Sequence, residues 1–270
     1  MRRLTLKELQ ETELDILIAF DRMCREEGIH YSLGGGTLIG AVRHKGFIPW
    51  DDDIDVFMKR EEYEKFKKKI YRNRSDLNDR YHVLLPGAEG YPYPFIKIID
   101  TDTILYEKNT VRNELGVWID IFPIDFCAQH KRSALKIAKY QLKLFRCYAR
   151  GRYRCDNQNI NNMIKNFFWL PFFRIQTDKV KNKMLEREKK FSENTRMRYA
   201  GPLVWASSLH DVYPSEYFDG YTQIEFEKHR FMIFRRYDDI LKHRYGNYME
   251  LPPESERVSH EPEAYMKQEK

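Results

Sequence analysis

Three aspartates, Asp51, Asp53 and Asp55, alternate along Asp51-Asp52-Asp53-Ile54-Asp55-Val56-Phe57. Ile54, Val56 and Phe57 interleave with them, which reads as a strand, and strand side chains alternate between faces. The three acids would then share one face, where they repel one another and have no core to pack on. A divalent cation removes that repulsion. Magnesium favours a few carboxylate oxygens plus substrate phosphates over a closed protein cage. Three glycines, Gly34, Gly35 and Gly36, precede the acids. Thr37 to Lys45 then reads as a short helix that Gly46 stops. Glycine lets backbone approach an anion closely, and a helix N-terminus aims free N–H groups at it. Alone, the glycines read as a turn and the acids as a solvated loop. Paired in one strand–helix–strand unit, they point to a metal-dependent phosphate site with magnesium, or manganese, as the ion.

The elements that must hold this unit follow from periodicity. Thr5 and Glu8 fit a capping box, and Leu9, Ile16, Leu17, Phe20 and Cys24 recur at helical spacing until Gly28. Arg60 to Arg72 is a second helix with Tyr63, Phe66 and Ile70 on one face. Strands are expected at Tyr81 to Leu85, Pro94 to Ile99, Thr103 to Tyr106 and Val117 to Phe122. Lys97 lies on the strand face opposite Ile96 and Ile98, where a lone lysine is ordinarily solvated. Asp120 is a single acid in the most apolar strand, and an isolated buried charge is costly without a partner. It is therefore either half of a buried ion pair or a working group. Asp125, after Pro123, reads as a helix cap. Tyr221 to Glu227 and Phe231 to Phe234 read as a hairpin, and Arg236 to Tyr245 as a helix capped by Gly246. The polar tail beyond His260 is expected to fray.

Composition narrows the setting. The chain has 270 residues, 42% hydrophobic and 33% charged, enough for a substantial core. We expect a single catalytic domain over residues 1–270. Four scattered cysteines (Cys24, Cys127, Cys147, Cys155) offer neither a zinc spacing nor a disulfide framework, which points to a reducing compartment. The N-terminus lacks the apolar stretch of a signal peptide, and the longest apolar cluster, 167–173, is too short for a membrane span. A cytoplasmic location is expected. The net charge of +6 conceals an asymmetry: Lys131 to Lys190 holds 17 Lys or Arg against 4 Asp or Glu. Lys136, Lys139, Lys143, Arg146 and Arg150 recur at helical steps, with Ala138, Leu142, Phe145 and Ala149 as the apolar stripe beside them. Further helices are expected at Ile160 to Trp169 and Thr177 to Phe191. This basic helical insertion, about 128–200, is an ordinary solvated surface or, with the aromatics around Trp169, a peripheral contact for an anionic membrane at its inner face. No nucleic-acid module is recognisable, so no nucleic-acid partner is expected.

Gly35-Gly36 followed by Asp53-Ile54-Asp55-Val56 resembles the signature of the polymerase-β-like nucleotidyltransferase superfamily. The whole stretch GGTLIGAVRHKGFIPWDDDIDV resembles, more narrowly, the LicD family of phosphotransferases, which is related to the fukutin group. Phe95-Ile96-Lys97-Ile98, Trp118 to Asp125 and Tyr245 to Pro253 extend the likeness nearly end to end, loosely over 130–200. The resemblance implies an α/β (α+β) fold with a nucleotidyltransferase-like mixed sheet flanked by helices. It implies transfer of a phospho-alcohol, phosphocholine above all, from a CDP-linked donor to a hydroxyl of a surface glycan or its lipid-linked precursor. Asp53 and Asp55 would hold the metal, with Asp120 as third ligand or general base. Gly35, Gly36 and Thr37 would seat a phosphate, with Arg43, His44 and Lys97 adding charge-assisted bonds. Trp50 would shape the pocket or stack on the alcohol head group. Two other readings stay open: a nucleotidyltransferase using a nucleoside triphosphate, and a non-catalytic glycan- or membrane-binding scaffold.

Overall fold

A computed structural model describes residues 1–72, 77–89, 91, 93–106, 115–152, 167, 179–187, 190–191, 197–206, 208–257 and 262–267. In chain order the elements are β1 (Arg2–Arg3), α1 (Leu6–Glu26), β2 (Ser32–Leu33), α2 (Gly35–Arg43), β3 (Asp55–Lys59), α3 (Arg60–Arg72), β4 (Tyr81–Leu84), β5 (Ile96–Asp100), β6 (Thr103–Tyr106), β7 (Trp118–Ala128), α4 (Lys131–Arg152), β8 (Tyr199–Gly201), β9 (Tyr213–Pro214), β10 (Tyr221–Phe226), β11 (His229–Phe234), α5 (Tyr237–Tyr245) and β12 (Glu263–Met266). Residues 179–187 are also helical.

The central sheet runs β2-β3-β7-β5-β4, with β8 on β7 and β9 on β8. β3 and β7 are parallel, whereas β2, β5 and β8 are antiparallel to their neighbours. The fold is thus α+β with a mixed sheet. One face carries Val56, Ile98, Ile119 and Ile121, packed with Ile16, Leu17 and Phe20 of α1 and Tyr63, Phe66 and Ile70 of α3. Period-two alternation sends the intervening residues to the other face, where Phe57, Phe95 and Phe122 cluster. α1 begins on the expected capping box, with Thr5 and Glu8 each satisfying the other's backbone N–H.

Several details differ from the sequence expectations. β3 starts at Asp55, so Asp51 and Asp53 precede the strand itself. The Asp51 N–H donates to the Ile48 carbonyl (2.9 Å) and Gln10 Nε2 donates to the Asp51 carbonyl (2.8 Å), which fixes the backbone there as a turn. α2 starts at Gly35, so Gly35 and Gly36 form its first turn rather than a loop before it. Asp125 is no helix cap. It lies inside β7, which runs six residues beyond Phe122, and it pairs with Arg60 of α3. The tail does not simply fray, because β12 inserts between β1 and β6.

On α4 the buried residues are Ala134, Ala138, Gln141, Leu144 and Tyr148, mostly one position from the expected stripe, while Lys136, Lys139, Lys143 and Arg146 are exposed. α4 and the helical residues 179–187 lie between β7 and β8 in the chain. The aromatic run beyond Phe167, the helix expected over 160–169 and the side chain of Arg150 lie outside the described residues. Among the described residues no helix is long and apolar enough to cross a membrane.

Candidate active site

Three neighbouring strands bring charged side chains into one row. Asp55 of β3 is the register partner of Asp120 of β7, and Asp120 is in turn the partner of Lys97 of β5. Register partners project to the same face, so the row crosses the sheet on the side opposite α1 and α3. Lys97 Nζ lies 2.5 Å from Asp120 Oδ1. A lone strand lysine is ordinarily solvated, but Lys97 is 2% exposed. Its ammonium stands 3.9 Å from the Trp118 ring centroid and 4.5 Å from that of Tyr93. Aromatic walls and one carboxylate thus take the place of water around it. Asp120 has the partner that its apolar strand demanded.

α2 closes the row at the Asp55 end. The Asp55 N–H donates to Thr37 Oγ1 (2.9 Å), and the Gly34 N–H donates to the Asp55 carbonyl (2.9 Å). Gly35 has φ +50°, and a Cβ there would overlap Asp55 Oδ2. A Cβ on Gly36 would come within 2.7 Å of Asp51 Oδ2. Glycine is therefore required twice, so that the first turn of a helix can lie directly against carboxylates. Such a contact is unfavourable for most side chains and favourable for backbone N–H groups.

The electrostatics are those of an acidic centre short of positive charge. Burial pushes the Asp55 carboxyl well above the usual carboxylate range, and Asp53, Asp120 and Asp51 push it further, opposed by Lys97. Glu13, which sequence reasoning passed over, belongs to the same field. It is buried on α1, its Oε2 has no hydrogen-bond partner among the described residues, and its carboxyl is raised by burial and then by Asp53, Asp52, Asp51 and Asp120. The available signal was its position in the apolar stripe between Leu9 and Ile16, where a charge does not belong.

A divalent cation fits this surplus. Among the described residues no three His, Cys, Asp or Glu side chains converge as a closed metal cage. Asp53 and Asp55, together with substrate phosphate oxygens and water, would form the kind of donor set that magnesium prefers.

The remaining predicted residues sit elsewhere. Arg43, at the end of α2, donates from Nη1 to the Tyr248 carbonyl (2.7 Å) and the Glu250 carbonyl (3.2 Å), and from Nε to His44 Nε2 (2.9 Å). Burial and the neighbouring Arg43 lower the His44 pKa, in keeping with a neutral acceptor. Trp50 carries the Arg257 guanidinium 5.0 Å from its ring centroid. These three residues tie α2 and its following loop to the C-terminal segment.

A cavity of about 120 Å³ opens beside Asp55 and Gly35. Phe57, Phe122, Trp205, Tyr213 and Tyr245 line it together with Asp211 and Arg244. Arg244 Nε lies 3.0 Å from Asp211 Oδ1. Trp205, Asp211 and Tyr213 were not singled out in the sequence, since only the return of β8 and β9 to the sheet brings them near the acids.

Comparison with known proteins places this arrangement. Residues 28–130, which span the glycines, the acidic loop, β5 and the whole of β7, match the family described as LicD/FKTN/FKRP, nucleotidyltransferase domain. Over shorter stretches the chain resembles uncharacterised proteins of two rickettsiae. One from Rickettsia typhi is 44% identical over 43 residues, 16% of this chain and 14% of its own. One from Rickettsia prowazekii is 55% identical over 31 residues, 12% of each chain. The lipopolysaccharide cholinephosphotransferase LicD of Haemophilus influenzae is 31% identical over 287 residues, 98% of this chain and all of its own. With identity at that level across both chains, and with the motif-bearing region matched, the chain belongs to the LicD family.

Proposed function

We propose that this chain transfers phosphocholine from a CDP-linked donor to a hydroxyl of a surface glycan or its lipid-linked precursor, with magnesium as cofactor. It is a LicD-like phosphotransferase, and the choline and glycan parts of the reading follow what the Haemophilus relative is named for. The observation that carries the chemistry is the row of Asp55, Asp120 and Lys97 beside the glycine-built first turn of α2.

Each group then has a role. The N-terminus of α2, at Gly35, Gly36 and Thr37, receives a donor phosphate on its free N–H groups. Asp53 and Asp55 would hold the metal ion, which when bound neutralises charge on the donor diphosphate. The acceptor oxygen attacks the phosphorus that bears the choline, the bond to the CMP oxygen breaks, and CMP leaves. Asp120 accepts the proton from the attacking hydroxyl. Lys97 fixes one oxygen of that carboxylate at 2.5 Å, so the base is held in place before the acceptor arrives. Gln10 holds the acidic loop through the Asp51 carbonyl.

The exposed cations of α4 support a peripheral contact with anionic lipid, which would keep a lipid-linked acceptor within reach. A groove lined by Lys136, Lys183, Arg187 and Lys190 continues that surface. Each Lys or Arg near an anionic leaflet contributes about 1 kcal/mol.

The test is a scan of CDP-linked alcohols for CMP release with and without magnesium and a panel of glycan acceptors. CMP release that requires both metal and acceptor supports the reading. Pyrophosphate release from a nucleoside triphosphate would replace it with nucleotidyl transfer.

A further inference from the structure

The cavity beside Asp55 has a chemistry of its own. At about 120 Å³ it is well under the roughly 300 Å³ at which pockets for drug-sized ligands begin. It therefore suits a group of a few heavy atoms rather than a whole nucleoside. Five aromatic side chains line it, drawn from β3, β7, α5 and the segment between Pro202 and Tyr213. Its charged groups are Asp55, on the side of the proposed metal, and the ion pair of Asp211 with Arg244. A small chamber walled by aromatic rings is the environment that holds a quaternary ammonium, through ring faces rather than hydrogen bonds.

Position completes the argument. Gly35 lines the cavity and opens the first turn of α2, and Asp55 lines the cavity and lies against that turn, so a group seated in the cavity lies next to the phosphate seat. That is where the head group of a phospho-alcohol must be when its phosphorus is attacked. Trp50, the aromatic residue that the sequence suggested for this purpose, already faces Arg257.

We propose that the cavity formed by Phe57, Phe122, Trp205, Tyr213 and Tyr245 beside Asp55 is the head-group subsite, selective for a trimethylammonium group. The proposal rests on the donor reading above and adds the residues that choose the alcohol.

The experiment compares kcat/KM for CDP-choline with that for its uncharged isostere, CDP-3,3-dimethylbutanol, at fixed glycan acceptor. The wild type is set beside Tyr245→Leu, Tyr245→Phe and Phe57→Leu. Tyr245 is 41% exposed, so its replacement spares the core, and Phe57→Leu provides an independent variant should Tyr245→Leu fold poorly. We expect the wild type to favour the charged donor by about tenfold or more, in line with ammonium–ring attraction. Both Leu variants should lose most of that ratio through KM for the donor, and Tyr245→Phe should keep it. An unchanged ratio in both Leu variants overturns the subsite and leaves the donor reading standing. So does equal use of the two donors by the wild type, or a rise confined to KM for the acceptor, which would make the cavity a sugar site. If the wild type releases CMP from no CDP-linked alcohol, the donor reading fails first and the subsite falls with it.

Discussion

Asp120 and Asp125 lie on the same strand, each within 3 Å of a cation, in very different surroundings. Their odd spacing puts them on opposite faces of β7. Asp125 faces the helices, where Arg60 of α3 meets it at 2.8 Å; the two side chains are 0% and 4% exposed. Asp120 faces the aromatic side, is 15% exposed, and has the carboxylate of Asp55 as its strand neighbour as well as Lys97. An ion pair sealed in the core compensates a burial cost and has no route to a substrate. An ion pair at the rim of a cleft, beside a second acid, has both a route and surplus charge. Pairing alone does not separate a structural carboxylate from a working one; the face and the neighbours do.

The first way to break this comparison is at the row itself. Asp55→Asn, or Asp53→Asn, should lower kcat by about 10⁴, roughly 5 kcal/mol in the transition state, with the circular dichroism of the folded protein retained. Without metal the variant should melt slightly higher than wild type, because one half-buried like charge is gone. Near-normal turnover at saturating magnesium would remove these residues from the site.

Asp120→Asn should cost about 10³ in kcat, within the range for a general base. As a base its loss leaves metal and donor affinity nearly unchanged; weakened metal binding would make Asp120 a ligand instead. Asp125→Ala gives the contrasting result. It removes the buried carboxylate that meets Arg60 at 2.8 Å and should cost about 3 kcal/mol or more in urea unfolding, with activity falling only as the folded fraction falls. If Asp125→Ala is neutral to stability while Asp120→Asn unfolds the chain, the two roles are exchanged.

Smaller effects sharpen the same contrast. Arg43→Ala removes donors from the Tyr248 and Glu250 carbonyls and should cost about 1–2 kcal/mol in stability. Glu at Lys136, Lys139 and Lys143 together should change stability by about 0.5 kcal/mol or less per site, since these cations face solvent. The same triple reversal should release the protein from anionic vesicles in sedimentation while sparing transfer to a soluble acceptor. Wild-type protein that ignores such vesicles at low salt would reduce α4 to a solvated helix.

Local signals were read with most success where they are dense. The capping box of α1, the span of α3 and the pairing of glycines with acids are all patterns within a few residues. The LicD likeness was legible for the same reason, because its signature occupies one continuous stretch. The errors have one cause. Asp51 and Asp53 were given a strand because the alternation of acids extends beyond the point where β3 begins, at Asp55. Asp125 was read as a cap because Pro123 suggested an ending, yet β8 continues the pairing of β7 and Arg60 makes burial tolerable. β12 was missed because its two partners, β1 and β6, are far away in the chain.

By itself, then, the sequence determined that the glycines and the acids of one short stretch come together, since charge, glycine placement and periodicity are properties of neighbours along the chain. The tertiary structure alone decided that Lys97 answers Asp120, that Glu13 joins the acidic field, and that Trp205, Tyr213 and Tyr245 wall a cavity beside Asp55. Those relations depend on strand register and on the return of β8, β9 and α5 to the sheet. They are set by which surfaces bury one another, and no local pattern encodes that.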